Sequence, residues 1–409
     1  MEIEIQDLNP DGAGVGRLDG RVVFVPGLLP GERARIRLTE EKARYARGEV
    51  LELLQTAPLR VEPPCPVYGR CGGCSWQHVA SPAQMALKTE IWRQQLRRLG
   101  RVEPRELLPP VDLNSWGYRS RARLHWDGRH LGFRAAQSHT VVAIDDCLTL
   151  EPALAAQLPA IAALCRDYDG AITAVDLAAG EDINVLRLQV AAFGRRELPH
   201  WPGWQIWLQR GEEIRRVPAE APALSQSPAP GLAIRYEPDD FTQVNRPVNR
   251  ALVQLVLAEL EPVPGLKILD LFCGLGNFSL PLAAAGAEVL GIEGVAAMVR
   301  RAEAEALRHG LKNVRFRRAD LFKKIPWADW AGHERWLLDP PRAGAQELLR
   351  SLPPRQRPER LVYVSCNPAT LARDAALLVA AGYDFVSGRL LNMFAQTGHV
   401  ESLAVFRRR

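Results

Sequence analysis

Apolar residues in the carboxy-terminal part of the chain form short runs that alternate with longer segments of helical periodicity. The runs lie at 267–272, 288–293, 314–319, 335–339 and 360–365, and the helical segments at 279–285, 295–309, 346–352 and 368–381. This alternation predicts an α/β fold with a parallel sheet covered by helices on both faces. Two further runs, 384–391 and 399–407, follow without a helix between them, so we expect an antiparallel hairpin to close the sheet.

The first 58 residues show a different pattern, in which short apolar runs are separated by residues that favour turns. The runs at 22–25 and 34–38 lie among turn sequences at 9–12, 19–20 and 30–31, which are rich in Asn, Asp, Pro and Gly. Short strands at this spacing predict a small β-barrel.

The middle of the chain mixes both patterns. Helices are predicted near 83–99 and 153–166, and strands at 121–126, 141–144, 183–190 and 205–208. The segment 218–231, rich in Pro, Ala and Ser, is predicted to be a loop at a domain boundary. We therefore divide the chain into a barrel (1–58), a mixed α/β domain (59–235) and a parallel-sheet domain (236–409).

The composition is that of an ordinary globular protein, with 47% hydrophobic and 24% charged residues and a formal net charge of only +5. The arginines, however, occur in three groups: Arg119, Arg121, Arg123, Arg129 and Arg134; Arg93, Arg97, Arg98, Arg101 and Arg105; and Arg315, Arg317 and Arg318. A solvated surface explains any one group. Several together favour a polyanionic ligand, because guanidinium forks pair well with phosphate.

The amino terminus lacks the basic and apolar regions of a signal peptide, and no apolar stretch is long enough to span a bilayer. We therefore expect a cytoplasmic protein with no membrane partner. The chain has seven cysteines, and a reducing cytoplasm argues against disulfides. The cysteines need another role.

A glycine-containing turn follows the first strand of the parallel-sheet domain. Residues 269–277 read Leu-Asp-Leu-Phe-Cys-Gly-Leu-Gly-Asn, and Gly274 and Gly276 would let a ligand approach the backbone. Glu293, at the end of the next strand, can accept hydrogen bonds from ribose hydroxyls. The pyrophosphate fingerprint GxGxxG is absent, which favours S-adenosylmethionine over a dinucleotide.

An acid and two prolines end the fourth strand, in the sequence Asp339-Pro340-Pro341-Arg342. Several classes of methyltransferase have this arrangement where the substrate base meets the methyl donor. Methylases of the adenine amino group have an aromatic residue after the prolines, and RNA cytosine-5 methylases have a cysteine. Arg342 disfavours both classes.

Cys366 ends the fifth strand, at the edge where open parallel sheets bind ligands, and it precedes a predicted helix. A lone cysteine is usually a small core residue, but a helix amino terminus lowers the pKa of a thiol and makes thiolate available. Cys273 is the competing candidate, and its place inside the cofactor turn favours a packing role. A thiolate that adds to carbon 6 of uracil would make carbon 5 nucleophilic.

The same chemistry needs a general base, because the proton on carbon 5 must leave before the thiol is eliminated. Glu401, in the segment 398–402, is the candidate. Without the other motifs, an exposed acid on a terminal strand would be the simpler interpretation.

These motifs, in this order, resemble the RNA uracil-5-methyltransferase family, and specifically its 23S rRNA members. The residues that carry the resemblance are Phe241-Thr242-Gln243, the Asp270–Asn277 turn, Asp339-Pro340-Pro341-Arg342, Ser365-Cys366-Asn367-Pro368 and Val400-Glu401-Ser402. The resemblance implies a Rossmann-like domain that uses S-adenosylmethionine to methylate carbon 5 of a uridine in 23S rRNA. It implies Cys366 as nucleophile, Glu401 as base and Phe241 as a stacking platform for a flipped-out uracil. The implied cofactor contacts are Gln243, Phe272, Asn277, Glu293, Asp320 and Asp339.

The amino-terminal segment is similar to the TRAM module, a small OB-like RNA-binding barrel. Cys65, Cys71 and Cys74, with the distant Cys147, look like the family's iron–sulfur ligand set. Four thiolates suit either zinc or a [4Fe–4S] cluster. The wide gap before Cys147 is unlike a paired-knuckle zinc site and favours the cluster, in a structural or RNA-positioning role.

Two alternatives stay open. A tRNA uracil-5-methyltransferase would share most of these motifs, although the barrel and the cluster cysteines favour rRNA. An RNA-binding iron–sulfur protein with an inactive methyltransferase domain is the alternative from another class, and the intact Cys366 and Glu401 argue against it. We expect the protein to act as a monomer.

Overall fold

The amino-terminal strands form a closed five-stranded barrel. The computed structural model describes residues 1–323, 325 and 327–409. The barrel consists of β1 (Glu2–Leu8), β2 (Gly14–Leu18), β3 (Arg21–Val25), β4 (Arg33–Glu41) and β5 (Tyr45–Gln55), paired in the order β1-β2-β3-β5-β4. Alternate residues of β1 and β4 point into a core that contains Ile3, Ile5 and Ile36. The predicted barrel is confirmed.

The predicted helix at 83–99 is present as α1 (Ser81–Gln95), which continues into one π-helical turn, Leu96–Gly100. It packs on the carboxy-terminal domain: the Trp92 ring lies 6.4 Å from that of Phe385. Gly100 permits a close approach, because a Cβ atom there would lie 2.3 Å from the carbonyl oxygen of Ala372. The short strand β6 (Glu106–Leu107) then joins the carboxy-terminal sheet.

The middle of the chain builds a separate seven-stranded sheet with two helices. Its elements are β7 (Arg121–Trp126), β8 (Leu131–Arg134), β9 (Val141–Ala143), α2 (Pro152–Ala155), α3 (Leu158–Asp167), β10 (Ile172–Ala179), β11 (Asn184–Val190), β12 (Trp204–Arg210) and β13 (Glu213–Val217). The strand order is β13-β12-β11-β10-β7-β8-β9. Leu154, Leu158 and Ile161 of the helices share one buried core with the sheet.

The predicted loop at 218–231 is wrong in its second half. A hairpin of β14 (Ser225–Ala229) and β15 (Leu232–Arg235) lies there and packs against α4 (Arg246–Leu260), a helix absent from the sequence prediction. The polar sequence of β14 carries no strand pattern. Its Pro228 is tolerated because β14 has only one neighbour in a two-stranded sheet.

The carboxy-terminal sheet has the predicted parallel strands and the predicted antiparallel closure. Its elements are β16 (Lys267–Leu271), α5 (Ser279–Ala284), β17 (Glu288–Glu293), α6 (Ala296–Arg308), β18 (Val314–Arg318), β19 (Arg335–Leu338), α7 (Gln346–Arg350), β20 (Arg360–Ser365), α8 (Pro368–Ala380), β21 (Tyr383–Leu391) and β22 (Glu401–Arg408). The order is β18-β17-β16-β19-β20-β22-β21-β6, so β22 lies antiparallel between β20 and β21.

The middle segment therefore contributes an edge strand to the last sheet, which the sequence did not indicate. The boundaries at 58 and 235 remain our proposal for the domain division. None of the helices within the described residues is long and apolar enough to cross a membrane.

Candidate active site

The sheet register brings Cys366 and Glu401 together. Ser365, the last residue of β20, pairs with Ser402 of β22, and the Ser402 hydroxyl donates a hydrogen bond to the Ser365 carbonyl oxygen at 3.2 Å. Because the strands are antiparallel, the residue after Ser365 lies opposite the residue before Ser402. The thiol of Cys366 and the carboxyl group of Glu401 thus meet at the end of the sheet.

The electrostatics of this pair differ from the prediction for the thiol. Burial raises the pKa of Cys366 to about 11, and the nearby Glu401 and Asp339 carboxyl groups add to the shift. The direction of this shift is opposite to the lowering expected from the amino terminus of α8. Glu401 is itself only 2% exposed, and burial raises its pKa well above the usual range for a carboxyl group.

Asp339 and Arg342 lie on the segment that follows β19, next to the candidate nucleophile. The backbone N–H of Asp339 donates to the carbonyl oxygen of Leu271 at 3.2 Å. The Arg342 carbonyl oxygen accepts from the Asn367 side chain at 3.0 Å and the Thr370 hydroxyl at 3.2 Å. Asn367 also caps α8, so the ends of β19 and β20 are held together. Burial raises the pKa of Asp339 to about 7, with a contribution from the Asp270 carboxyl group.

The glycine turn after β16 has the open backbone that a close ligand needs. Gly274 and Gly276 have φ angles of 56° and 86°, in the region that favours glycine. Glu293 closes the turn, because its carboxylate accepts from the backbone N–H of Gly274 at 3.1 Å and from that of Val295 at 2.8 Å. The turn and the acid predicted to bind the ribose therefore form one unit.

Cys273 packs inside this turn, as the sequence suggested. It is 4% exposed, and a Cβ atom at Gly291 would lie 2.9 Å from its sulfur. Burial raises the pKa of its thiol well above the usual range. Its surroundings suit a packing residue and not a nucleophile.

Three of the residues implied to contact the cofactor lie around the turn, and each interacts with another side chain of the protein. The side-chain amide of Asn277 pairs reciprocally with that of Asn249 on α4, at 2.8 and 3.0 Å. The Phe272 ring lies 5.8 Å from the ring of Phe322. Asp320 is exposed, accepts a hydrogen bond from the Phe322 backbone and pairs with Lys323 at 3.3 Å.

The segment before α4 holds the remaining two predicted site residues. The Arg121 guanidinium donates to the carbonyl oxygens of Pro238 and Asp240 and to the hydroxyl of Thr242. Phe241 is 68% exposed on the surface of this braced segment, whereas Gln243 is 6% exposed. An exposed aromatic ring on a fixed backbone suits stacking on a base.

A cationic cavity of about 470 Å³ lies between the middle sheet and the carboxy-terminal domain. Arg119, Arg123, Arg134 and Arg342 line it, together with Phe133, His399 and the glycines that follow Cys71. Three of these arginines belong to one sequence group that favoured a polyanion. Arg121, which belongs to the same sequence group, supports the backbone instead. Arginines around an aromatic ring make this cavity suitable for a nucleotide.

The four predicted cluster cysteines are close enough for their charges to interact. Burial raises the pKa of Cys74 to about 11, and interaction with the thiolates of Cys147, Cys71 and Cys65 adds to it. The Cys71 sulfur accepts a hydrogen bond from the Gly73 backbone at 3.4 Å, a contact typical of cluster thiolates. Across the part of the chain that the structure describes, no three His, Cys, Asp or Glu side chains are positioned around a single ion.

Comparisons with known proteins identify the family. A family model for the TRAM domain matches residues 1–51, and one for tRNA (Uracil-5-)-methyltransferase matches residues 231–409. Proteins named 23S rRNA (uracil(1939)-C(5))-methyltransferase from Dichelobacter nodosus and Thiobacillus denitrificans are each 42% identical over 99% of this chain, and cover 98% and 99% of their own lengths. This chain belongs to the RNA (uracil-C5)-methyltransferase family.

The structural comparison agrees with this family assignment. The tRNA (uracil-54, C5)-methyltransferase of Pyrococcus abyssi, solved in complex with S-adenosyl-L-homocysteine, is 25% identical, with a TM-score of 0.78. The match covers 99% of this chain and 100% of that protein. The family resemblance and the methyltransferase fold inferred from the sequence are confirmed.

Two residues that contact predicted cofactor residues of this RNA (uracil-C5)-methyltransferase were missed in the sequence. Asn249 lies in the first turns of α4, four residues after the N-cap residue Asn245, and that spacing was an available signal. Phe322 follows Asp320 by two residues and is 48% exposed. The sequence gives no sign that Phe322 belongs near the cofactor turn, because its contact partner Phe272 is fifty residues earlier in the chain.

The raised pKa of Cys366 predicts slow alkylation of the ligand-free protein. At pH 8 only about one thiol in a thousand would be ionised. We expect the iodoacetamide reaction of the Cys366 peptide, followed by mass spectrometry, to accelerate about tenfold per pH unit between pH 7 and 10. The same peptide in urea-unfolded protein is the control and should approach its plateau near pH 9. A folded-state plateau below pH 8 would show that the helix terminus dominates.

Proposed function

We propose that this protein uses S-adenosylmethionine to methylate carbon 5 of a uridine in 23S rRNA, through a covalent bond between Cys366 and carbon 6. The observation that carries the proposal is the position of Cys366 opposite Glu401, where β20 and β22 end. A thiol and a buried carboxyl group at one sheet edge supply the nucleophile and the base that this reaction needs.

The first half of the reaction activates the ring. The Cys366 thiolate adds to carbon 6, and the electron pair of the carbon 5–carbon 6 double bond moves into an enolate on oxygen 4. Carbon 5 then attacks the methyl group of the sulfonium, the methyl–sulfur bond breaks, and S-adenosylhomocysteine is released. Glu401 is buried, and Cys366 and Asp339 are half-buried, which restricts water around the reacting atoms.

The second half restores the aromatic ring. The Glu401 carboxylate removes the proton from carbon 5, the double bond to carbon 6 forms again, and the Cys366 thiolate leaves. A carboxyl group with a raised pKa is a stronger base once it is ionised. The positive sulfonium of bound S-adenosylmethionine favours ionisation of the acids around it, which offsets the high pKa of the empty site.

The cofactor is assigned to the turn around Gly274. We assign the ribose to Glu293 and the adenine to the side of the turn that carries Phe272, with Asp320 and Asn277 as neighbours. Gln243 and Asp339 complete the contacts near the sulfonium and the uracil. These six roles rest on the family motifs, and the open turn closed by Glu293 supports them.

The RNA is assigned to the cationic cavity and to the amino-terminal barrel. Four arginines, an exposed Phe241 and a TRAM barrel suit a single-stranded RNA with one uracil turned out toward Phe241. The names of the 42% identical relatives favour 23S rRNA. The Pyrococcus abyssi neighbour makes tRNA the second candidate substrate. We propose that the protein acts in the cytoplasm as a monomer.

Cys65, Cys71, Cys74 and Cys147 are assigned to a [4Fe–4S] cluster. In a [4Fe–4S] cluster each of the four thiolates binds a different iron atom, so the sulfurs can lie apart from one another. A single zinc ion needs all four sulfurs about 2.3 Å from one centre. The Gly73 N–H bond to the Cys71 sulfur fits a thiolate ligand. When bound, the cluster would cross-link the segment 65–74 to the middle sheet through Cys147.

Variants of the two catalytic residues should separate their roles. With unmodified 23S rRNA and methyl-labelled S-adenosylmethionine, Cys366→Ala should form neither 5-methyluridine nor a covalent adduct, because addition to carbon 6 comes first. Glu401→Gln should still add and methylate, but its turnover should fall roughly 10²- to 10⁴-fold and a labelled protein–RNA adduct should survive denaturing electrophoresis.

Near-normal turnover of Glu401→Gln would show that another acid is the base, and Asp339 would be tested next. Cys273→Ala is the matched control and should retain adduct formation. If the wild-type protein methylates tRNA but not 23S rRNA, tRNA is the substrate. If it methylates neither RNA, the result favours an inactive RNA-binding protein.

The metal content distinguishes the cluster from zinc. Protein prepared without oxygen should contain about four iron atoms per chain and should be brown. Cys147→Ser should lose iron, whereas Cys165→Ser, which changes a buried cysteine outside this group, should retain it. Stoichiometric zinc without iron would refute the cluster and leave the methyltransferase proposal unaffected.

A further inference from the structure

Gln396 lies in a strained backbone conformation in the loop 392–400, which leads from β21 to Glu401. Its φ angle is 63°, in the left-handed region that residues with side chains rarely adopt. Such positions persist only where the surroundings enforce them, and they cluster at functional sites. Gln396 is also only 1% exposed, so its polar groups need partners inside the protein.

Those partners come from α1 and from the residues after Cys74. The Gln84 amide oxygen accepts from the Gln396 backbone N–H at 3.1 Å, and the Gln84 amide nitrogen donates to the Gln396 side-chain oxygen at 3.0 Å. The Gln396 carbonyl oxygen accepts from the backbone N–H groups of Ser75 and Trp76 at 3.0 and 2.9 Å. The strain is thus maintained by segments more than 300 residues away in sequence.

Further anchors hold the same loop on both sides of Gln396. The Lys88 ammonium group, fully buried, donates to the Asn392 side-chain oxygen at 2.8 Å and to the Phe394 carbonyl oxygen at 3.0 Å. The backbone N–H of Gly398 donates to the Ser75 hydroxyl at 3.3 Å. A fixed loop therefore forms one wall of the cationic cavity, through Phe394, Thr397 and His399.

The barrel meets the loop at the same point. A Cβ atom at Gly398 would lie 2.9 Å from the carbonyl oxygen of Asp11, and the Trp76 indole N–H donates to the carbonyl oxygen of Gly12 at 3.2 Å. The barrel turn, the cysteine-bearing segment and the loop 392–400 consequently pack as one junction. A shift of any of the three would move the residues before Glu401.

We infer that Gln84 is a positioning residue that, through Gln396, fixes the loop 392–400 and so places Glu401 for removal of the carbon 5 proton. The inference rests on the proposed function, because it assigns Gln84 to the step that Glu401 performs. The inference separates two steps. When the loop moves, the Cys366 thiolate that follows β20 can still add to carbon 6, and carbon 5 can still accept the methyl group. Of the chemical steps that follow RNA binding, only release from the adduct depends on the loop.

The test compares Gln84→Met with wild type in a single turnover and in hydrogen exchange. Methionine keeps the length of the side chain and removes both bonds to Gln396. We expect at least tenfold faster exchange of the Gln396 amide, and a ratio of methylated adduct to free product roughly ten- to a hundredfold higher than in wild type. Gln205→Met, which removes a buried amide in β12 far along the chain from this loop, is the matched control and should change neither quantity.

A loss of adduct and product in equal proportion, or unchanged exchange at Gln396, would overturn the inference. If Gln84→Met does not fold, Lys88→Met removes a separate anchor of the same loop and should raise the same ratio. If wild type forms no 5-methyluridine, the proposed function fails. The exchange result would then still show whether Gln84 fixes the loop.

Discussion

The active site depends on the antiparallel insertion of β22 between β20 and β21. A purely parallel sheet would place the end of every strand at the same edge and leave the residue after β20 without an acid opposite it. The reversed strand starts at that edge, so its first residue, Glu401, lies beside Cys366. Cys366 and Glu401 belong to consecutive motifs, and they lie side by side because β22 runs antiparallel to β20.

Desolvation at this edge of the sheet disfavours the charged forms of the thiol and the carboxyl groups, which explains their raised pKa values. Cys366, Glu401 and Asp339 share a small desolvated space, and each additional negative charge there opposes the others. Burial therefore favours the protonated forms of these groups. A bound sulfonium favours ionisation of these groups, so we expect the methyl donor to promote formation of the thiolate.

The sequence predicted the framework well because local signals were strong. Most of the five parallel strands are short apolar runs, and Asp339, Cys366 and Glu401 all lie at or beside expected strand ends. Three features had no local signal. The first strand of the hairpin at 225–235 is polar, and the pKa of Cys366 depends on acids from other strands. The contact of Gln84 with Gln396 joins residues that nothing in the sequence pairs.

The central claim is a covalent bond from Cys366 to carbon 6, and an RNA with 5-fluorouridine at the target position tests it most directly. Fluorine on carbon 5 cannot be removed as a proton, so wild-type enzyme should methylate the ring and then remain attached. Digestion and mass spectrometry should find the methylated fluoronucleotide on the peptide that contains Cys366. An adduct on Cys273, or none under conditions where the same enzyme methylates uridine, would contradict the account.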